Sequence, residues 1–368
     1  MARLATRRSR PGRVSPSAQT EGRAKVSSHL PVVGNESRFF WTVIASTGER
    51  FSDFAPYVAS VNDEDTVAFQ AALRAGGTGV FTGDGAAIAE VAGPTLLAGV
   101  TSHPDLNSSG ATSFYGELAD GAQGVFLLRD GRLQAIAGTR DGFAVVGPLG
   151  PTMNEAGTVA FRAERTAGVS GVFVGDGTAV TTVADTECGW SAFHGLPLID
   201  GRGTVVFRAD RENGVQGVYA GRGGSIETLA ETGDLFETLA FFPSANDVGA
   251  VAFAATLRAG GAGIFTVDEG QIVQVLDTES AFESCRGALI SDGGAVVCIA
   301  TPRSGSLGLF AGPDPEADRI LALGDPLLGS SVADFAANPV SVNADGHVAV
   351  RATLADGRQL VLRADPTE

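Results

Sequence analysis

The chain has little of what usually announces a chemistry. Its only lysine is Lys25, which removes any phosphate-binding loop that ends in lysine from the rest of the sequence. Three cysteines without paired spacing exclude a disulfide framework and a four-thiolate zinc site. The four histidines (His29, His103, His194 and His347) form no ligand spacing, and neither His-Glu-x-x-His nor Gly-x-Ser-x-Gly occurs. The residues therefore offer no catalytic set and no metal-ligand set. No apolar run approaches the ~18 residues of a membrane helix, which argues against integral membrane association. A 3.6-residue apolar period is nowhere sustained, so helix is expected to be scarce.

Charge is distributed unevenly. The formal charge is −16 over 368 residues, yet residues 1–25 hold seven bases against the single acid Glu21, which leaves −22 for the remainder. A body this acidic repels nucleic acid and anionic lipid, while it tolerates cations, basic proteins and neutral glycans. The Arg-, Ser- and Pro-rich start lacks the apolar residues needed for order, so residues 1–37 read as a disordered basic tail and 38–368 as one domain. Arg7-Arg8 is followed by no apolar segment of signal-peptide length, and the expected location is cytoplasmic.

What is present is a repeat. Asn62–Phe69, Asn107–Phe114, Asn154–Phe161, Asp200–Phe207, Asn246–Phe253, Ser291–Cys298 and Asn343–Val350 are seven copies of one phrase, ending 45, 47, 46, 46, 45 and 52 residues apart. The first six are followed by Gly-Val-Phe or a relative (Gly79, Gly124, Gly171, Gly217, Gly263, Gly308), degenerate at Gln359–Val361 in the seventh, then a glycine turn and a short alternating run. Four short strands separated by Gly/Asn/Asp turns over about 46 residues match one propeller blade. Side-chain alternation places the Phe row (Phe69, Phe114, Phe161, Phe207, Phe253) opposite a small row (Ala68, Ser113, Ala160, Val206, Ala252). Bulky faces nested on slim ones fill the space between radially stacked blades. The seventh copy lacks its fourth strand, and an orphan strand, Phe39–Ala45, precedes the first. The expectation is an all-β, seven-bladed β-propeller of four-stranded blades, closed by the N-terminal strand completing the last blade.

The phrase Asn-x-x-Gly-x-x-Ala-Phe, intact at Asn154–Phe161 and Asn246–Phe253, resembles the bacterial tandem-repeat proteins named for that motif. The resemblance spans roughly residues 39–365, is weakest in the last two copies, and implies a repeat architecture and a bacterial origin. Proteins of that kind often carry an export signal or surface anchor.

Candidate sites are few. Asn bonds its own backbone and starts turns, so the Asn column reads as structural. Asp63, Glu64 and Asp65 form an acidic turn for which calcium is the one conceivable cofactor. Glu49, Asp141, Glu187, Asp234, Glu279 and Asp325 recur in the links between blades, beside Thr47, Thr139, Thr186, Thr232 or Thr278, and could form a carboxylate crown on one face. In Cys188–His194, Trp190 and His194 are placed to stack on and hydrogen-bond a sugar or peptide. The competing reading assigns Trp190 and Phe193 to a packing position shared with Phe54, Phe143, Phe282 and Phe335. Cys298, replacing a blade Phe, reads as a core thiol. The functional expectation is a non-enzymatic, monomeric binding or scaffolding propeller whose loop face recognises a protein, peptide or glycan. A propeller hydrolase or lyase acting on a glycan or lactone through a channel-bound cation stays open on fold analogy alone, as does a structural surface protein.

Overall fold

The computed structural model describes residues 38–367; the basic tail over 1–37 and Glu368 lie outside the described residues. Each repeat is an antiparallel sheet whose strands lie side by side in chain order. Blade 3 is representative: a broken inner strand (Phe143–Val146 and Thr152–Met153) is followed by Val159–Arg165, Ser170–Gly175 and the outer strand Val180–Asp185. Glycine and Asp turns separate them, and the described residues contain one short 3-10 turn, Pro339–Ser341. The chain's ends meet as the repeat count requires. Phe39–Ser46 pairs antiparallel with Gln359–Pro366, setting Trp41 opposite Ala364 and Ala45 opposite Val361, and so becomes the outer strand of blade 7.

Apolar burial concentrates between blades, with one cluster for each of the seven junctions. The slim residue of one blade sits under the aromatic set of the next. Ala349 of blade 7 lies against Phe51, Phe69 and Phe81 of blade 1, and Ala160 of blade 3 against Trp190, Phe207 and Tyr219 of blade 4. Within a blade, the second- and third-strand rings run side by side while the inner-strand ring stands edge-on: Phe143 lies 5.2 Å from Phe173 at 80° and Phe161 5.8 Å from Phe173 at 28°. Aromatic pairs favour such edge-to-face contacts. This corrects the packing column expected from sequence. The repeating inner aromatic is Phe51, Phe143, Trp190, Phe236 and Phe282, whereas Phe54 and Phe193 lie three residues further on. In blade 6 the second-strand ring is replaced by Cys298, whose thiol burial pushes up to about 12.

The Asn column forms its turns and also does something its turn chemistry alone does not require. Its Oδ1 accepts the main-chain N–H four residues on, as Asn154 does from Thr158 and Asn246 from Ala250. Its Nδ2 reaches across to a main-chain carbonyl of the following blade: Asn62 to Asn107, Asn107 to Glu155, Asn154 to Asp200, Asn246 to Ser291 and Asn343 to Asn62, at 2.9–3.2 Å. The last of these closes the ring. Where the column carries Asp200 or Ser291, the side chain still accepts from its own turn but sends no such bond to the next blade.

These two substitutions make a test. Asp200→Asn supplies the missing donor between blades 4 and 5 while keeping the turn acceptor, and Asn154→Asp removes a donor between blades 3 and 4. With a net value of about 1 kcal/mol per hydrogen bond, the first is expected to raise Tm and the second to lower it in thermal unfolding at one pH. Shifts in the reverse order would refute the assignment.

Candidate functional site

The first strand of each blade is the one that meets the axis, and proline breaks most of them. Pro56, Pro104, Pro148, Pro197, Pro243 and Pro339 fall three to six residues before the Asn column in six blades, while blade 6 bulges at Cys285–Gly287. A proline brings no N–H to the ladder, so pairing is interrupted there and the chain bows toward the axis. The bowed segments from all seven blades line one cavity of about 220 Å³. Its wall is largely apolar: Val58, Leu149, Leu196, Phe242, Leu289 and Pro339. Of its exposed lining residues, Phe242 and Arg286 mark the side that opens toward the face bearing the inter-blade links.

The polar groups in this wall divide into engaged and free ones. His103 is buried, and burial pulls its pKa down to about 4, so the ring is neutral. Asn338 Oδ1 accepts from Val340 N, which leaves its Nδ2 to donate 3.3 Å to His103 Nε2 and assigns the ring proton to Nδ1. Arg286 makes no ion pair or hydrogen bond through its guanidinium with any described residue, and the Tyr57 hydroxyl has no hydrogen-bond partner among them. Burial raises the pKa of that hydroxyl, which keeps it a donor.

Beside the opening, Phe241 and Phe242 are 55% and 37% exposed. The Phe241 ring stacks on His194 at 5.0 Å and 25°. Blade 4 admits this loop at Gly195, where φ is +62° and an added Cβ would fall 2.0 Å from the Phe241 carbonyl oxygen. His194 Nε2 bonds Asp210 at 2.9 Å, and the same carboxylate pairs with the fully buried Arg208. Burial pushes Asp210 up, but the Arg208 and His194 hydrogen bonds outweigh it and hold the group below its usual range.

The residues singled out from sequence fall elsewhere. Trp190 is 3% exposed, packed on Tyr219 at 4.6 Å and covered by Arg211, so it offers no rim surface for a sugar or peptide. His194 stands near the opening with its ring and nitrogen engaged as described. Glu49, Asp141, Glu187, Asp234 and Glu279 are exposed in the links between an outer strand and the next inner strand, and none of them lines the axial cavity. Asp325, partly buried, takes Ala322 N at 2.8 Å and Arg319 at 3.5 Å. The neighbouring threonines explain the recurrence. Thr47, Thr139, Thr186, Thr232 and Thr278 each accept the first N–H of the adjacent third strand, at 2.9–3.2 Å, and tie its end to the outer strand. Sequence reading missed Tyr57, His103, Phe242, Arg286 and Asn338; the proline column beside four of them was the available signal.

A second cavity, about 130 Å³, lies at the opposite mouth and is acidic: Asp63, Asp105, Glu155, Asp247 and Asp292 line it. Pro339 lines both cavities and so stands between them, while Val340 beside it packs across the axis into the cluster of blades 4 and 5. Each acid accepts a main-chain N–H, and nearly all of these cross a blade junction. Asp63 takes Ala344 N, Glu155 Ser108 N, Asp292 Asp247 N and Asp105 Met153 N, at 2.7–2.9 Å, and Asp247 takes Gly201 N. Asp65 bonds His347 and Asn343 across the ring closure. Of the three acids that suggested calcium, Asp63 and Asp65 are thus fastened to the neighbouring blade, while Glu64 is exposed. Among the described residues no three His, Cys, Asp or Glu side chains converge to hold a metal ion.

The fold recurs in solved structures. Oligogalacturonate lyase in complex with manganese is 12% identical with a TM-score of 0.58, over 90% of this chain and 96% of that one. The β-propeller domain of the Trilobed protease from Pyrococcus furiosus is 13% identical with a TM-score of 0.56, over 87% and 95%. The fold is a seven-bladed β-propeller. Oligogalacturonate lyase from Vibrio parahaemolyticus shares it at 10% identity and a TM-score of 0.52, over 89% and 97%. No protein-family model and no curated protein matches the chain. At these identities the likeness establishes the propeller and no activity.

The acidic mouth gives the propeller a pH dependence of definite sign. Burial pushes Asp105 up to about 7, with Glu155 and Asp247 adding to the push, and Asp247 rises to about 6 through lost hydration and the charge of Asp292. Both hold a proton when folded at pH values where the unfolded chain has lost it, so stability falls as pH rises from about 4 toward 7. Neutral His103 opposes this below its unfolded pKa of about 6.5, leaving a net slope of the same sign. Tm at about pH 5.5 is expected to exceed Tm at about pH 8, and Asp105→Asn is expected to flatten the difference. A wild-type Tm that climbs over this range would overturn the account.

Proposed function

We propose that this chain is a non-enzymatic binding propeller that takes its ligand at the mouth of the axial cavity on the inter-blade-link face. The observation that supports this reading most directly is the convergence of all seven inner strands on one apolar cavity, with Phe242 at its edge. Exposed apolar surface costs solubility unless it is used, and apolar concavities with a few polar groups are where small ligands bind. The cavity is smaller than the roughly 300–1,000 Å³ that accommodates drug-sized ligands, which favours a compact molecule. The link carboxylates are not the seat in this reading, because none of them lines the cavity and they accompany a threonine latch that accounts for their repetition.

The test is binding of a neutral aromatic probe, 2-naphthylmethanol, followed by calorimetry. Phe242→Ser is expected to weaken it about tenfold, the loss of an aromatic contact worth about 1.4 kcal/mol, while Glu187→Gln and Asp234→Asn leave it unchanged. Loss of binding in the rim variants, with Phe242→Ser unaffected, would move the site to the crown and refute the proposal.

A further inference from the structure

We infer that the axial cavity selects a small apolar acid: a compact aromatic or aliphatic group bearing one carboxylate. This rests on the binding reading above and specifies its ligand. Arg286 is the only charged side chain in the cavity wall, since His103 is neutral there. Its guanidinium makes no ion pair or hydrogen bond with any described residue, in a chain whose body carries a large excess of acids.

An unpaired guanidinium beside an apolar wall has a definite complement. Its planar fork matches a carboxylate in two parallel charge-assisted hydrogen bonds, and its weak hydration lowers the cost of pairing away from water. One positive charge balances a monoanion. A doubly charged phosphate would be left with uncompensated charge in an acidic molecule. The Tyr57 hydroxyl, a spare donor in the same wall, suits an acceptor oxygen, while the discrimination against an ammonium comes from the like charge of Arg286. Asn338 and the Nε2 of His103 bond each other. The remaining wall, from Val58 through Leu149, Leu196 and Phe242 to Leu289, suits the hydrocarbon part.

The acids of the molecule do not contradict this. Those nearest the axis line the other mouth, behind Pro339, and each accepts a main-chain N–H there. The axis therefore presents a guanidinium at one mouth and carboxylates at the other. An anion is matched only at the first.

The experiment uses the full chain and three probes of one shape: 4-phenylbutyrate, 4-phenylbutanamide and 4-phenylbutylamine, titrated by calorimetry. The acid is expected to bind about tenfold more tightly than the amide, with the amine weakest. In Arg286→Gln, whose side chain is exposed and makes no ion pair or hydrogen bond with any described residue, Tm is expected to stay unchanged while acid and amide become equal. Tyr57→Phe should erode the preference partially. Acetyl-Ala-Phe with a free carboxylate, against its amide, distinguishes a chain end from a free acid as the source of the same chemistry. Equal binding of acid and amide to the wild type, or tightest binding of the amine, would overturn the inference while leaving an apolar binding site intact. Failure of all probes, 2-naphthylmethanol included, would overturn both.

Discussion

Seven strand edges face the axis with no further strand to pair them, and the molecule is organised by how those edges are satisfied. Unpaired main-chain groups in a buried setting are costly, and an open edge invites unwanted pairing. Proline removes a donor from part of six of these edges, and a bulge interrupts the seventh. Asparagine answers the rest by serving two neighbours at once, with Oδ1 on its own turn and Nδ2 on the carbonyl of the next blade. Because the bond runs from a blade to its successor wherever the column holds Asn, the last blade must find the first, and Asn343 does so at Asn62. Closure by the N-terminal strand and closure by the axial asparagines are two solutions to the same edge problem, at opposite radii of the sheet.

The junctions are unequal as a result. Blades 5 and 6 are joined near the axis by Asn246, by Ser244 accepting from Ile290 and by Asp292 accepting from Asp247. Between blades 6 and 7 the equivalent positions are Leu289 and Ser291, and that joint relies on the apolar cluster of Leu289, Leu309, Leu321, Leu327 and Val350. A groove of about 700 Å³ lies over this junction, between Val297 and Asp318 on one side and Val342 and Pro366 on the other. Blade 6 is also where the third strand shrinks to Gly308–Phe310, so the least regular repeat adjoins the junction with the fewest axial bonds.

How far the sequence could be read depends on what is periodic. The blade count, the strand assignment, the nesting of Ala160 under Phe207 and the pairing of Trp41 with the last blade all repeat or complete a repeat, and each was legible. The site is not periodic: Tyr57, His103, Phe242 and Arg286 occupy related places in four blades with four different side chains, so no recurring letter marks them. Repetition also misled. The acid beside each inter-blade threonine recurs because the latch recurs, and Trp190 stood out by rarity while filling a position that Phe143 and Phe236 fill elsewhere. Distance to the axis is a property of strand order within the sheet that no local motif encodes.

The short turn at Pro339–Ser341 belongs to both ends of the bore: Pro339 lines the apolar cavity and the acidic one, so a substitution there would reshape the two mouths together.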